Sequence, residues 1–443
     1  MAEACSTEAM ELSTGSSFQN PDRFQLREID AIKTMSLCRF CGSGLVHTFV
    51  DLGMSPLCET FLTADQLNEM EPFYPLHTYV CEHCLLVQLQ EYVRPERIFT
   101  EYAYFSSYSD SWLQHAKAYT DMIVRRFKIG TQSQVVELAS NDGYLLQYFV
   151  EKGIPVLGVE PAANVAQAAI KKNIPTVVKF FGTRTAHELS TERGKADLLL
   201  GNNVLAHVPD LNDFVAGMKI LLKPEGLITM EFPHLIRLMD ENQFDTIYHE
   251  HFSYFSFTTV EKVFAAHGLT LFDVEELSTH GGSLRIYGTH SENAEQPVTR
   301  RLIDLKAREE AAGFSRLETY LSFAKKVEET KRNLLRFLIK AKREGKSIAG
   351  YGAPGKGNTL LNYCGIRTDF IDYTVDRNPY KHGKYTPGTH IPIYDPEKIS
   401  ETKPHYIFIL PWNLKDEIMK QLAYAQEWGA QFVVPIPEVK VYR

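Results

Sequence analysis

The densest run of acid–base side chains in the sequence is Tyr248-His249-Glu250-His251, which lies between aromatic residues. A zinc-protease motif would place its two histidines one helical turn apart, whereas His249 and His251 are only two residues apart. On a β-strand these two histidines would face one way and Glu250 the other. The stretch therefore predicts a proton-transfer cluster, in which one imidazole is the base and Glu250 or Tyr248 orients it. The alternative is an aromatic core loop with surface histidines, but four such side chains in succession favour the catalytic interpretation.

A second chemical pattern consists of two C-x-x-C pairs, Cys38 with Cys41 and Cys81 with Cys84. Each pair can form a tight turn that presents two thiolates to one ion. Two such pairs are the sequence pattern of a zinc ribbon. Because four thiolates leave no open coordination position, we expect a structural zinc ion. Weaker candidate ligands are Cys58, His47 and His83.

The middle of the chain alternates strands and helices, which predicts an α/β fold with a parallel, doubly wound sheet. The predicted strands are 134–139, 155–160, 176–181, 196–203 and 226–232. Ligands of such sheets bind beyond the carboxyl ends of the strands. Polar residues stand at these ends in Glu137–Gly143, Glu160, Asn202, Asn203 and Glu231.

The loop after the first of these strands indicates the kind of ligand. It contains one glycine, Gly143, rather than the G-x-G-x-x-G that brings a pyrophosphate close to the backbone. Glu160 ends the second strand, where an acid commonly binds ribose hydroxyls. S-adenosylmethionine has a ribose but no phosphate, so it fits this loop better than NAD. The alternative is that Asn141 or Asp142 only caps the following helix.

The last part of the chain begins a second α/β pattern with a predicted strand at 347–351. A glycine-rich turn, Gly350-x-Gly352-x-x-Gly355, then opens a helix, and Asp376 ends the next predicted strand. Taken alone, this pattern is a dinucleotide fingerprint with its acid about 20 residues on. It also fits a phosphate cradle for any nucleotide, to which Lys356 adds a positive charge.

Composition narrows the class of protein. The chain has 443 residues, enough for two or three domains, and 47 Lys and Arg against 55 Asp and Glu give a net charge of −8. This balance argues against a nucleic-acid-binding protein. No apolar run reaches the length of a membrane span, and no signal peptide is recognisable. Seven cysteines, an odd number, suggest a reducing compartment, so a cytoplasmic protein is expected.

Several long strings occur in order along the chain, and together they resemble one family. They include YFSSYSDSW, ELASNDGYLL, GVEPAANVA, FDTIYHEHFSYFS, THGGSLR and YGAPGKGNTLLNYCG, in addition to the two cysteine pairs. The family is the sugar C-methyltransferases that act on nucleotide-linked 4-keto-deoxysugars, and the resemblance covers roughly residues 38–440. It implies a zinc-binding domain, a central Rossmann-like domain for S-adenosylmethionine and a C-terminal Rossmann-like domain for the nucleotide sugar.

Site residues follow from the resemblance one by one. It places zinc on Cys38, Cys41, Cys81 and Cys84. It places S-adenosylmethionine near Glu137, Asn141, Gly143, Glu160 and Asn203. It implies a catalytic cluster of Tyr102, His207, Tyr248, Glu250 and His251. For the substrate we assign Gly352, Lys356, Asn358 and Asp376.

The implied reaction is C3 methylation of a nucleotide diphosphate 4-keto-deoxysugar, with dTDP as the expected nucleotide, as in deoxysugar and antibiotic biosynthesis. His251 is the expected base, with Tyr248 as its rival, and Glu250 orients or tunes the base. His207, Tyr102 or Tyr248 would donate to the enolate oxygen.

The expected domains are a flexible tail (1–34), a zinc-binding domain (35–95), a methyltransferase domain (96–295) and a C-terminal domain with a helical connector (296–443). The segment YFSSYSDSW is expected to close over the site as a lid. Small-molecule partners are expected, with no nucleic acid and no membrane, in a monomer or homodimer. The alternatives are an NAD-dependent nucleotide-sugar oxidoreductase that uses residues 350–357, a zinc-ribbon binding module, and an O- or N-methyltransferase.

Overall fold

A computed structural model describes residues 36–95 and 105–443, and every element below lies in the unit Leu37–Arg443. The predicted tail (1–34) and Tyr102 lie outside the described residues. The strands are β1 (His47–Ser55), β2 (Tyr74–Val80), β3 (Val87–Leu89), β4 (Val135–Leu138), β5 (Val156–Val159), β6 (Thr176–Val177), β7 (Ala196–Asn202), β8 (Leu222–Pro233), β9 (Ser253–Tyr254), β10 (Leu269–Leu277), β11 (Ser283–His290), β12 (Ile348–Tyr351), β13 (Tyr373–Val375), β14 (Ile393–Tyr394), β15 (Tyr406–Ile409), β16 (Gln431–Val434) and β17 (Lys440–Tyr442). The α-helices are α1 (Asp110–Phe127), α2 (Leu146–Val150), α3 (Ala163–Lys171), α4 (Thr183–Glu192), α5 (Leu211–Leu221), α6 (Leu235–Asp240), α7 (Phe257–Ala266), α8 (Arg300–Ala311), α9 (Leu317–Leu321), α10 (Phe323–Arg343), α11 (Gly355–Cys364), α12 (Lys398–Thr402) and α13 (Lys415–Gln421).

The central sheet has the strand order β10-β11-β8-β7-β4-β5-β6. The strands from β8 to β6 pair in parallel, and the hairpin of β10 and β11 adds an antiparallel edge. β4 and β5 are buried along their whole length, as expected of parallel strands covered on both faces. The predicted doubly wound sheet is confirmed, although the third predicted strand (176–181) is reduced to Thr176–Val177. The carboxyl ends of the parallel strands therefore meet at one edge.

The N-terminal sheet has the order β1-β2-β3-β9, and its fourth strand, β9, begins two residues after the Tyr248–His251 stretch. Val87 pairs with Tyr254, and Gln88 pairs with Ser253, in antiparallel register. Residues 253–254 lie within the predicted methyltransferase domain (96–295), yet they complete the sheet of the zinc-binding domain. The domain boundaries stay a prediction, but the strand that follows Tyr248–His251 belongs to the N-terminal sheet.

The C-terminal sheet has the order β14-β13-β12-β15-β16-β17. Its first five strands pair in parallel, which confirms the second α/β pattern. β17 follows β16 and pairs with it in antiparallel register. Helices α8 to α10 precede the C-terminal sheet, and Gly313, with φ +83°, lies between α8 and α9.

The apolar cores cross the predicted domain boundaries. One core joins Phe49 and Leu52 of β1 to Leu334 and Leu338 of α10, and continues into the C-terminal sheet. Another surrounds the zinc-ribbon cysteines with residues of the central sheet and of α7. The three sheets therefore share buried side chains. Among the described residues, no helix is both long and apolar enough to cross a bilayer.

Candidate active site

The four cysteines of the two C-x-x-C pairs converge as the sequence predicts. Their sulfur atoms all lie within 4.8 Å of one another, and the closest pairs, Cys38 with Cys84 and Cys41 with Cys81, are 3.5 Å apart. A tetrahedral zinc tetrathiolate has sulfur–sulfur edges of about 3.8 Å, so the cluster fits one zinc ion. Gln88 supports it from outside, because its Nε2 donates to Cys38 Sγ at 3.1 Å.

The zinc-binding segment is held against the central sheet by polar contacts. Arg39 Nη1 donates to the carbonyl oxygen of Pro209 at 2.8 Å. Asn212 Nδ2 donates to the carbonyl oxygens of Phe40 at 2.9 Å and Arg39 at 3.2 Å. These contacts tie the first cysteine turn to the start of α5. The zinc site is therefore part of the interface between two sheets.

The stretch Tyr248–His251 forms a turn rather than a strand, because the His251 N–H donates to the Tyr248 carbonyl oxygen at 2.9 Å. The expectation that His249 and His251 face the same way is therefore wrong. The His249 imidazole contacts the carbonyl oxygen of Pro75 at 3.2 Å, whereas the His251 imidazole contacts that of Thr246 at 2.9 Å. Alternation of side chains holds only on an extended backbone, and the turn separates the two rings.

His251 has the geometry of a general base. Its Nδ1 donates to the Thr246 carbonyl oxygen, so the proton is on Nδ1 and Nε2 is the basic nitrogen. The ring is 8% exposed and lies 4.1 Å from the Tyr248 ring and 4.7 Å from the His207 ring, centroid to centroid. Desolvation, with the neighbouring His207 imidazole, lowers the pKa of His251 well below its usual value. The imidazole is therefore neutral near pH 7.

Tyr248 and Glu250 differ from His251 in what they can do. Desolvation raises the pKa of the Tyr248 phenol well above its usual value, and the acidic groups of Cys58 and Glu250 add to the effect. Tyr248 therefore stays protonated and can donate a hydrogen bond. The Cys58 thiol donates to Glu250 Oε1 at 3.7 Å, which joins the catalytic stretch to the N-terminal domain. The Thr246 carbonyl, which the sequence did not suggest, supplies the orienting contact to His251; the predicted role of Glu250 stays a prediction.

The loop after β4 has an unusual backbone. Ala139, Asn141 and Gly143 have φ of +54°, +50° and +76°, so alternate residues are left-handed although only one of them is glycine. Glu160 fixes this loop, because its carboxylate accepts the Asn141 N–H at 2.9 Å and the Ala162 N–H at 2.8 Å. The predicted cofactor residue Glu160 therefore has a structural function in addition to any contact with a ligand.

Unsatisfied polar atoms gather at this edge of the central sheet. Within residues 36–95 and 105–443, buried side-chain atoms without a hydrogen-bond partner include Ser140 Oγ, Asn202 Nδ2 and Asn203 Oδ1. Desolvation, together with the carboxylates of Glu160 and Asp142, raises the pKa of Glu137 well above its usual value. A ligand rich in hydroxyl and amino groups would satisfy these atoms. The ribose and methionine ends of S-adenosylmethionine have this chemistry, so the residues present fit the cofactor.

The glycine-rich turn before α11 does not present an open anion site. Desolvation raises the pKa of Glu59, whose carboxylate accepts a hydrogen bond from the Gly355 N–H at the start of α11. Asp376 is also engaged, because its carboxylate accepts the backbone N–H groups of Ala353 at 2.7 Å and Asn378 at 2.8 Å. A pyrophosphate at this turn would meet two carboxylates. The geometry therefore argues against the NAD-dependent alternative.

The four predicted substrate residues have different surroundings. Asn358 is 1% exposed and its Nδ2 donates to the Cys58 carbonyl oxygen at 2.6 Å, so it holds two domains together. Gly352 has φ +85° and lies against Pro411, where a side chain would not fit. The Nζ of Lys356 donates to Asn413 Oδ1 at 2.8 Å. Of these four residues, only Lys356 carries a charge that affects the histidines of the site.

Lys356 brings a cation into the site. Desolvation lowers its pKa, and Asp245 partly opposes that effect. The Lys356 charge in turn contributes to lowering the pKa of His251 and of His280, so the ammonium acts on both rings through its electric field. Trp412 lies under it, with Nζ 4.8 Å from the ring centroid, and donates its indole N–H to Asp245 Oδ2 at 2.7 Å. Sequence reasoning missed Asp245, His280 and Trp412, and it considered Cys58 only as a weaker zinc ligand.

Comparisons with known proteins show the family of this chain. Residues 38–99 match the family described as "Putative zinc binding domain", residues 111–274 match a methyltransferase domain, and residues 278–437 match a C-methyltransferase C-terminal domain. The chain is 35% identical over 412 residues to C-methyltransferase NovU of Streptomyces niveus, which covers 93% of this chain and 98% of that protein. The fold and site define an S-adenosylmethionine-dependent methyltransferase. The chain belongs to the C-methyltransferase family that carries an N-terminal zinc-binding domain.

Other matches are shorter. A ubiquinone biosynthesis O-methyltransferase of Bartonella tribocorum is 30% identical over 96 residues, 21% of this chain and 39% of that protein. The solved structure of magnesium protoporphyrin IX methyltransferase from Synechocystis PCC 6803 with bound SAM is 14% identical, covers 44% of this chain and 89% of that chain, and has a TM-score of 0.32. Likeness at this level carries no argument about this chain. The C-methyltransferase family replaces the NAD-dependent alternative.

Proposed function

We propose that this C-methyltransferase transfers a methyl group to C3 of a nucleotide diphosphate 4-keto-deoxysugar, with dTDP as the nucleotide. The observation that carries the proposal is the buried, neutral imidazole of His251, whose basic Nε2 stands in one site with a protonated phenol and an ammonium group. This set suits removal of a weakly acidic C–H proton beside a ketone. A methyl transfer to an amine would not need the base.

The base step follows from the tautomer of His251. Its Nε2 takes the C3 proton, the C–H electron pair forms a C3–C4 double bond, and the carbonyl electrons move to the C4 oxygen. The carbonyl of Thr246 holds the Nδ1 proton and stabilises the imidazolium that forms. Base catalysis of this kind contributes typically about 10²–10⁴-fold.

The enolate oxygen needs donors in a site that excludes water. Tyr248 keeps its proton because its pKa is raised, so we assign it as a donor rather than as the base. Desolvation lowers the pKa of His207 to about 4, so this imidazole is also neutral and has one N–H to donate. Tyr102 stays a predicted donor outside the described residues. The Lys356 ammonium adds positive potential on the same side, for the enolate or the diphosphate.

S-adenosylmethionine, when bound, supplies an electrophilic methyl group. The proposed cofactor residues Glu137, Asn141, Gly143, Glu160 and Asn203 lie at the carboxyl edge of the central sheet. The base is on the turn between this sheet and β9. These elements are one unit, so the chain fixes the alignment of C3 with the methyl group, and alignment is the remaining requirement of the reaction.

A solvent-exchange experiment tests the proposal. The protein is incubated in deuterated water with a dTDP-4-keto-6-deoxysugar and S-adenosylhomocysteine, and the C3 proton is followed by NMR. We expect enzyme-dependent loss of that signal, reduced at least about 10²-fold in His251→Ala. His249→Ala is the matched control, because this imidazole contacts Pro75 instead, and it should exchange like the wild type.

Two outcomes would overturn the proposal. Wild-type exchange in His251→Ala would remove this residue as the base. A product methylated on oxygen or nitrogen, with no exchange at C3, would refute C-methylation at that carbon.

A further inference from the structure

The loop that joins β10 to β11 has three consecutive residues with positive φ: His280 at +55°, Gly281 at +92° and Gly282 at +118°. Glycine adopts such angles without cost, but a left-handed histidine is uncommon. A strained residue of this kind costs on the order of 1–3 kcal/mol and persists only where its surroundings fix it.

Contacts from several elements hold the loop in this conformation. Thr279 Oγ1 donates to Glu231 Oε1 at 2.9 Å, at the carboxyl end of β8. Gln243 Nε2 donates to the Gly281 carbonyl oxygen at 2.7 Å. A Cβ atom on Gly281 would lie 2.6 Å from the Trp412 ring, so Trp412, which follows β15, also packs against the backbone here. The loop is fixed from both sides, and the conformation of His280 is imposed.

The imidazole held in this way reaches a predicted cofactor residue. His280 Nε2 lies 3.0 Å from Asn203 Nδ2, and the His280 ring meets the edge of Trp112 with centroids 5.1 Å apart. Asn203 is itself left-handed, with φ +55°. Because its Nδ2 donates to His280, its Oδ1 points elsewhere, and this buried oxygen has no hydrogen-bond partner in the described part of the chain.

The charges around His280 keep it neutral. Desolvation lowers its pKa to about 4, and Lys356 and His115 act in the same direction, whereas Glu231 opposes them. A neutral imidazole has one nitrogen that accepts, and Asn203 Nδ2–H already donates to Nε2. A protonated ring could only donate, and the Asn203 amide would then have to turn its oxygen toward His280.

We propose that His280 is a positioning residue for S-adenosylmethionine, which acts by holding the Asn203 amide with its oxygen turned toward the cofactor. The Oδ1 of Asn203 then accepts an N–H or O–H of the cofactor, and its unsatisfied state in the described structure is relieved on binding. The inference rests on the proposed placement of the cofactor at Asn203. It does not depend on the identity of the methyl acceptor.

Binding of S-adenosylhomocysteine, measured by titration calorimetry on the full chain, tests this inference without any sugar. His280→Asn suits the left-handed backbone but its amide is too short to reach Asn203. We expect the dissociation constant to rise about fivefold to tenfold, the value of one hydrogen bond. His280→Gln restores an amide near the position of Nε2 and should recover most of the affinity.

A double-mutant cycle separates positioning from general damage. Asn203→Ala should weaken binding, and adding His280→Asn to it should cost little more, because the second residue acts through the first. Unchanged affinity in His280→Asn, or losses that multiply in the double variant, would overturn the proposal. Full affinity in Asn203→Ala would overturn both the placement and the inference. A failure of C3 methylation alone would leave these results standing. Matching melting temperatures and zinc contents are the check on folding.

Discussion

Gln88 links the zinc cluster to the catalytic stretch, and removing its side chain should reveal that link. The side chain is fully buried, donates to Cys38 Sγ at 3.1 Å and accepts the Arg39 N–H at 2.9 Å. The backbone of Gln88 pairs with Ser253 in β9, two residues after His251. One residue therefore contacts a predicted zinc ligand through its side chain and the strand beside the proposed base through its backbone.

The expected loss in Gln88→Ala can be estimated from these contacts. A hydrogen bond to a charged thiolate contributes about 1.5–3 kcal/mol and one between neutral groups about 0.5–1.5 kcal/mol. The cavity left by a fully buried side chain adds to this. We expect the free energy of unfolding to fall by about 3–4 kcal/mol in total, with zinc released faster, since the donor to Cys38 is lost.

Two assays report on the two ends of this link. Zinc release to a chromogenic chelator follows the metal site, and deuterium exchange at C3 follows the base. In Gln88→Ala, zinc should be released faster and deuterium exchange at C3 should be slower. Gln88→Glu keeps the volume and the acceptor for Arg39 but places a carboxylate beside the thiolates, so it should release zinc at least as readily. Gln66→Ala is the control, because Gln66 is an exposed residue of the same domain. Wild-type zinc retention and stability in Gln88→Ala would refute the reasoning.

Further predictions concern pH and the cation. The pKa of His207 and of His280 is lowered to about 4 from an ordinary 6.5, so the unfolded chain binds their protons first as the pH falls. The free energy of unfolding should therefore decline between pH 6.5 and pH 4, and at pH 5 the loss should be up to about 2 kcal/mol per imidazole. Denaturant titrations at several pH values measure this. If the unfolding free energy of His207→Gln falls with pH as steeply as that of the wild type, the prediction is contradicted. Lys356→Met should weaken binding of the nucleotide sugar about tenfold or more by calorimetry while S-adenosylhomocysteine binds normally, and equal sugar affinity would exclude the assigned charge contact.

Local patterns in the sequence were enough for the zinc cluster and the two α/β sheets. Paired cysteines at x2 spacing need only two tight turns to present four thiolates, and these turns form locally around Cys38 and Cys81. Strands such as β4 and β5 are continuous apolar runs, whose burial follows from composition. Family strings, not spacing, pointed to His207 as a neighbour of His251, and the two rings do meet.

Contacts between distant segments were beyond the same reasoning. The turn before α11 reads as a phosphate cradle, yet Glu59, some 300 residues earlier, supplies the anion at that helix start. Nothing near Gly355 in the chain signals this, because an acid from another domain satisfies the helix as well as a phosphate does. The predicted orientation of the histidines in the Tyr-His-Glu-His stretch was wrong for another reason. Strand periodicity was applied to a turn, and a turn sends neighbouring side chains to unrelated partners.

In this arrangement, loss of the zinc ion should affect catalysis although the ion does not contact the reacting atoms. Its four cysteines are closed to substrate, but β3 lies between them and β9, and β9 follows the proposed base directly. Cys58 and Asn358 add a second tie, from the N-terminal domain to Glu250 and to α11. Metal loss should therefore lower the rate of C3 exchange in proportion to the fraction of molecules whose β3–β9 pairing is lost, while the carboxyl edge of the central sheet still binds the cofactor. The two functions should separate in one titration with a chelator, because the proposed base lies next to β9 of the N-terminal sheet, whereas the proposed cofactor residues lie on the central sheet.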